Sequence, residues 1–233
     1  MATQPPFGPV LQVPDPAAAR DWLCENLLFA PAPGGAVTNG SCALYLRQGP
    51  GAPLPAPAPG TYYTGLAHVA LRSTDIAAAL ARCRARGLAT QPQNGGWLHN
   101  PQVFGAGEDY FNIHAPCGLT VEVSQPVAWA PGAQNMLFFG LDHLGVPCAD
   151  FDAECAFWET LGFSLVFSPV ENYNEAEGRI RCAMVQRGAL VLEVYQFLDL
   201  VPVPMPAGAV LRGVFAWADA VSPSGVQFFQ KEV

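Results

Sequence analysis

The sequence predicts an α+β fold assembled from a repeated unit of strand, helix and further strands. Three observations lead there. A short strand with His at the same place occurs twice, as Gly65-Leu66-Ala67-His68-Val69-Ala70-Leu71 and as Gly140-Leu141-Asp142-His143-Leu144-Gly145-Val146. Seven residues beyond each His stands an Asp, Asp75 or Asp150, and each Asp opens a segment of helical composition. Downstream, each copy has a β-rich run with a carboxylate near its middle: residues 118–125 around Glu122 and residues 188–196 around Glu193. Internal similarity of this kind marks a repeat architecture.

Taken in order, the chain opens on a fainter copy over residues 1–61. Residues 9–13 predict a strand. Asp15-Pro16 predicts a helix start, with Asp as cap and Pro at the first helical position. Residues 17–28 form that helix and 42–46 the last strand, but this copy lacks both the His and the Glu. The second copy, residues 62–128, runs from the His68 strand through a helix over 76–86 to strands around 111–113 and 118–125. Arg82, Arg84 and Arg86 complement that helix's dipole, and Gly87 suits its left-handed end. The third copy, residues 138–200, repeats the pattern with a helix over 151–160, Gly162, and strands near 181–185 and 188–196. The tail, residues 208–233, has room for strands at 211–217 and 226–230 around a Pro223-Ser224-Gly225 turn, but not for a full helix. It reads as a truncated fourth copy. Pro-, Gly- and Ala-rich linkers fall at 49–60, 126–135 and 201–209.

Composition narrows the function. Of 233 residues, 51% are hydrophobic and only 13% charged, which excludes global disorder. A net charge of −8 with eleven Lys plus Arg argues against nucleic-acid and anionic-membrane partners. No apolar run is long enough to span a bilayer, and the N-terminus does not resemble a signal peptide. Seven Cys, odd in number and without Cys-x-x-Cys, predict reduced thiols in a cytoplasmic protein.

Strand alternation assigns faces. Leu66, His68 and Ala70 share one side, as do Thr120, Glu122 and Ser124, Leu141, His143 and Gly145, and Val191, Glu193 and Tyr195. The intervening apolar residues pack under the helices. A Glu between two valines is expensive to bury without a cation, a metal or water. With Lys and Arg scarce, a metal is a reasonable partner, and imidazole with carboxylate suits Zn, Fe, Mn, Ni or Co.

These motifs resemble the vicinal oxygen chelate superfamily, the group of glyoxalases, extradiol dioxygenases and bleomycin-resistance proteins. The resemblance rests on Leu66-Ala67-His68-Val69, Leu141-Asp142-His143-Leu144, Thr120-Val121-Glu122-Val123 and Val191-Leu192-Glu193-Val194, and covers residues 62–197. It implies βαβββ modules that pair into cup-shaped mixed sheets with helices outside. It implies one divalent metal ion held by His68, Glu122, His143 and Glu193. Glu122 and Glu193 are then also the candidate catalytic carboxylates, and Tyr195 and Thr120 face the cup as substrate contacts. The expected activity is metal-dependent chemistry on a small oxygenated metabolite, with lyase, isomerase or epimerase chemistry ahead of ring cleavage. The alternative is a non-catalytic small-molecule binding protein of the bleomycin-resistance type.

The helix ends raise a difficulty. Trp158-Glu159-Thr160-Leu161-Gly162-Phe163 resembles the first module of a family pair, and Arg84-Ala85-Arg86-Gly87 the second. That predicts pairing of copy one with two and of three with the tail, leaving one His and one Glu in each cup. A complete site then needs copies two and three to share a cup, or a homodimer. Among other residues, His114 reads as a turn residue, His99 as a loop residue near the cavity, and Phe138, Phe139 and Trp129 as core or interface.

Overall fold

The computed structural model describes residues 9–39, 42–49, 55–93, 95–103, 106–127, 136–174, 177–206, 211–216 and 221–230. The first stretch comprises β1 (Pro9–Val13), α1 (Pro16–Leu27), β2 (Ala30–Ala32), a 3-10 turn (Pro33–Gly35), β3 (Ala36–Asn39) and β4 (Cys42–Gln48). Next come β5 (Thr61–Thr64), β6 (His68–Arg72), α2 (Ile76–Ala85), β7 (Ala89–Gln91), β8 (Leu98–Asn100), β9 (Glu108–His114) and β10 (Thr120–Pro126). Then follow β11 (Phe139–Pro147), α3 (Phe151–Thr160), β12 (Ser164–Leu165), β13 (Val170–Asn174), β14 (Gly178–Arg187) and β15 (Leu190–Phe197). The chain closes with β16 (Val201–Pro204), β17 (Leu211–Ala216) and β18 (Gln227–Gln230).

Each helix starts at the aspartate the sequence assigns to it. Asp15 accepts from the amides of Ala17 and Ala18, Asp75 from Ala78, and Asp150 from Ala153. Each bond satisfies an amide that the first turn would leave unpaired. Gly87 and Gly162, just past α2 and α3, take left-handed φ values of 68° and 80°. The buried stripe of α2 is Ile76, Ala79, Leu80 and Cys83, a helical spacing that faces the sheet.

Two sheets share one core. A six-stranded sheet has the order β18-β17-β1-β4-β3-β2. The larger sheet runs β12-β14-β15-β11-β6-β10-β9-β7, with β13 on β14 and β8 on β9, and curls into a cup. Under both lie Leu11, Leu23, Leu44, Val69, Val121, Leu144, Trp158 and Leu192 in a single hydrophobic cluster. Each fully buried aliphatic or aromatic side chain of this kind contributes about 1.5–3 kcal/mol. Asn39 ties the sheets together, its Nδ2 donating to the Leu27 and Phe138 carbonyls at 3.1 and 2.9 Å.

The pairing differs from the one the helix ends suggest. Strand β6 pairs antiparallel with β11, so the His68 and His143 strands are neighbours in one cup. Strands β1 and β17 pair instead in the other sheet. A helix-end motif reports only its local cap; which strands meet is decided by the faces they bury. The seam sets Gly145 opposite His68. A Cβ on Gly145 would lie 2.0 Å from His68 Cε1, so only glycine lets the imidazole lie across β11.

Three local expectations also change. Residues 201–204 of the third linker form β16, which pairs parallel with β5. His99 lies in β8 rather than a loop, with Nδ1 2.8 Å from Asp109 Oδ1. His114 ends β9 and lines the cavity rather than only turning the chain. Phe138 is buried in the core as expected, while Trp129 lies outside the described residues.

Candidate metal centre

The four candidate ligands sit on four neighbouring strands of the cup. Parallel pairing of β6 with β10 puts His68 beside Thr120 and Ala70 beside Glu122. Parallel pairing of β11 with β15 puts Gly145 beside Glu193. The antiparallel seam between β6 and β11 brings the two halves together. The side chains converge. His68 Nε2 lies 3.2 Å from His143 Nε2, 3.8 Å from Glu122 Oε2 and 3.7 Å from Glu193 Oε2. His143 Nε2 lies 3.3 Å from Glu122 Oε1 and 3.6 Å from Glu193 Oε2.

Those separations fit a metal. Bonds of about 2.0–2.2 Å to nitrogen and oxygen place neighbouring ligands about 3.0–3.5 Å apart in tetrahedral or octahedral coordination, and the observed 3.2 to 3.8 Å lies in or just beyond that span. Two overlapping groups could hold an ion: His68 with His143 and Glu193, and Glu108 with Glu122 and His143. All these residues belong to one chain, so a complete set needs no second copy.

A bulge sets the geometry at His143. Register slips between Leu141 and Leu144, where Leu141 faces Leu71 and Leu144 faces Val69. One extra residue on β11 breaks the predicted alternation. Leu141 therefore joins the core instead of sharing the face of His143. Asp142 is freed to hold the imidazole, with Oδ2 2.9 Å from His143 Nδ1, while Oδ1 accepts from Arg72 Nε at 2.9 Å. A carboxylate on Nδ1 fixes the ring and leaves Nε2 for a ligand role.

Burial and neighbouring charge separate the titrating groups. Burial pushes the His68 imidazole down to about 4, so it is neutral at physiological pH. Burial also opposes charge on His143, but the Asp142 and Glu122 carboxylates outweigh it and hold this imidazole well above the usual range. Burial raises Glu122, yet His68 and His143 together bring it below a normal carboxylate. Glu193 is pushed up to about 7 by burial and the nearby Glu122, against the pull of His143. Glu108 is raised well above the normal range by burial and by Glu122.

The centre forms part of the wall of a cavity of about 340 Å³. Thr120 and Tyr195 both line it, as their alternation predicts. The Tyr195 ring stacks on His68, with centroids 6.1 Å apart.

Comparison with solved structures decides the fold. Glyoxalase I from Zea mays superposes with a TM-score of 0.57 at 16% identity, over 89% of this chain and 72% of that one. A Bacillus subtilis protein to which dioxygenase activity has been ascribed gives a TM-score of 0.54 at 13% identity, over 92% of this chain and 69% of that one. The chain has the fold of the vicinal oxygen chelate superfamily. No family model matches the sequence, and no curated protein matches it either.

Within the superfamily fold, sequence reasoning missed several residues that face the cup. Glu108, Tyr110 and Asn112 line the cavity together with His114. Their signal was present: these positions alternate with Phe111 and Ile113, which are fully buried in the core. Asp142 had no such signal, because it depends on the bulge.

Proposed function

We propose that this protein is a divalent-metal-dependent enzyme that acts on a small molecule with vicinal oxygens, by proton transfer rather than ring cleavage. The observation that carries this reading is the convergence of two imidazoles and two carboxylates beside the cavity, with His68, Glu122 and Glu193 on its wall and His143 buried behind them, within 3.2 to 3.8 Å of one another across the His–His and His–Glu pairs. His68, Glu122, His143 and Glu193 are the ligands in this reading. The bound ion, one of Zn, Fe, Ni, Co or Mn, supplies Lewis-acid stabilisation of negative charge on a chelating substrate oxygen.

The two carboxylates divide the remaining work. Glu122, contacted by both imidazoles, acts mainly as a fixed anion. Glu193, which burial and the nearby Glu122 make the more basic of the two in the metal-free site, is the group assigned to take a proton from carbon and return it. Asp142 keeps His143 oriented. Burial holds the Tyr195 phenol protonated, so it donates to a substrate oxygen, and Thr120 offers a second hydroxyl. The reading includes a reducing, cytoplasmic setting, which six free thiols among the described residues support.

Elemental analysis of protein purified without chelator tests the centre. The expected result is about one divalent ion per chain, lost in His68→Ala and in His143→Ala. No metal after reconstitution would favour the non-catalytic binding protein instead. The chemistry is tested by deuterium exchange next to the carbonyl of hydroxyacetone, followed by NMR. Exchange at the wild-type rate in Glu193→Gln would remove Glu193 from the proton-transfer role.

A further inference from the structure

The two halves of the cup present different chemistry to one cavity. Register makes them comparable. Glu122 on β10 stands opposite Asn112 of β9, and Glu193 on β15 stands opposite Met184 of β14. Two residues before those partners, Tyr110 matches Cys182; two residues earlier still, Glu108 matches Ile180. All four of these line the cavity, polar on one arm of the sheet and apolar on the other. The strands that carry the glutamates part in the same way, with Thr120 in one and Val191 in the other, each two residues before its Glu.

The apolar arm is not an outlying part of the main core. Ile180, Cys182 and Met184 form a separate buried cluster with Val103, and Tyr195 and Phe197 pack against it. The rings of Tyr195 and Phe197 meet edge to face, with centroids 5.5 Å apart. Ile180, Cys182, Tyr195 and Phe197 turn part of this cluster toward the cavity. From the other arm, β9 and β10 present Tyr110, Asn112, His114 and Thr120. Water against an apolar wall finds few partners, and a hydrocarbon group that displaces it gains affinity. A polar wall holds its water better, so a cavity with both walls sorts a two-sided molecule into one orientation.

We propose that the substrate bears a compact hydrocarbon group, alkyl or aryl, that packs on Ile180, Cys182 and Phe197 while its remaining polar groups turn toward β9 and β10. This rests on the metal-centre reading, because the chelating oxygens of the same molecule bind there. The volume of about 340 Å³ is at the small end of ligand cavities, which favours a hydrocarbon group the size of about one ring over a long chain.

The test uses four hydroxamates that share one chelating head and differ in the tail: methyl, hydroxymethyl, isobutyl and phenyl. Binding to the full-length cobalt-loaded protein is measured by calorimetry. Each buried CH₂ is worth about fourfold in affinity, so two buried carbons beyond the methyl should make the isobutyl tail bind about tenfold or more tightly. The hydroxymethyl tail should bind no more tightly than methyl. Phenyl measured against isobutyl tells an aryl from an alkyl group. Ile180→Asn, which puts an amide into the apolar wall, should bring isobutyl and methyl within about threefold of each other, whereas Ile180→Val should keep the gap. Cys182→Ser makes the same test if Ile180→Asn does not fold. Tails that bind alike, a preference for the hydroxymethyl tail, or a gap that survives Ile180→Asn would overturn the proposal and leave the metal centre standing. A protein that takes up no cobalt and binds none of the four would overturn both readings.

Discussion

Replacing Gly145 by alanine isolates one contact at the centre. The added Cβ would lie 2.0, 2.3 and 2.4 Å from His68 Cε1, Nε2 and Nδ1. Comfortable contact needs about 3.5–4.0 Å, so the ring must retreat by about 1.5 Å. Metal–ligand distances tolerate only about 0.2 Å, so His68 drops out of the donor set. Gly145 is not among the glycines with positive φ, so the substitution adds no backbone strain of that kind. Metal affinity should fall by about 100-fold or more, since even outer partners of ligands are worth about 10–100-fold. Overpacking should also cost about 1–3 kcal/mol of stability in urea titration. The three nearest atoms to the added Cβ all belong to the His68 ring. In the His68→Ala background, Gly145→Ala should therefore cost less than about 0.5 kcal/mol. Stoichiometric metal at wild-type affinity in Gly145→Ala, or an undiminished stability loss in the double variant, would refute the reasoning.

Three further outcomes are expected. Asp142→Asn removes the carboxylate from His143 Nδ1 and should weaken metal binding by about 10–100-fold in a chelator competition; unchanged affinity would deny Asp142 a positioning role. Metal affinity should fall as pH drops below about 7, because metal-free Glu193 then gains a proton and His143 already carries one, and both must leave on binding. His68, down at about 4, adds no proton competition until the solution is far more acidic, so the slope should approach two decades per pH unit; a flat affinity from pH 6 to pH 8 would contradict this. Glu154, fully buried on α3, accepts from Trp158 Nε1 at 2.9 Å and from the Ser224 amide and hydroxyl at 2.8 and 3.0 Å. Glu154→Ala strands those donors and should lower stability by about 3 kcal/mol with metal content unchanged; a loss under about 0.5 kcal/mol would mean the clasp contributes little.

Much of this was legible in the sequence because it is local. Asp15, Asp75 and Asp150 each act within three residues of their own position, and their helices begin where predicted. The faces of β10 and β15 follow from simple alternation, so Thr120, Glu122, Glu193 and Tyr195 could be placed on the cup. What depended on distant partners was not legible. The β6–β11 seam comes from burial on two strands and the missing side chain at Gly145, and no helix-end motif encodes it. Leu141 took the wrong face because a bulge has no dependable one-dimensional signature. Strand β16 went unread because Val201-Pro202-Val203-Pro204 looks like a linker until β5 lies beside it.

The nested order of the sheets has a topological consequence. The first and last segments pair around the middle two, so the sheets close like brackets. Strand β18 runs antiparallel to β1 across β17: Pro9 stands level with Val214, and Val214 with Phe228. The start of β1 and the end of β18 thus share one edge of the sheet, two strand spacings or about 10 Å apart. A bridge of about five residues could join them. Opening the chain between β4 and β5 would then yield a circular permutant in which each of the two large sheets is built from consecutive segments. Its cup would keep every candidate ligand in the original order, with the bracketed topology rewritten as a simple succession.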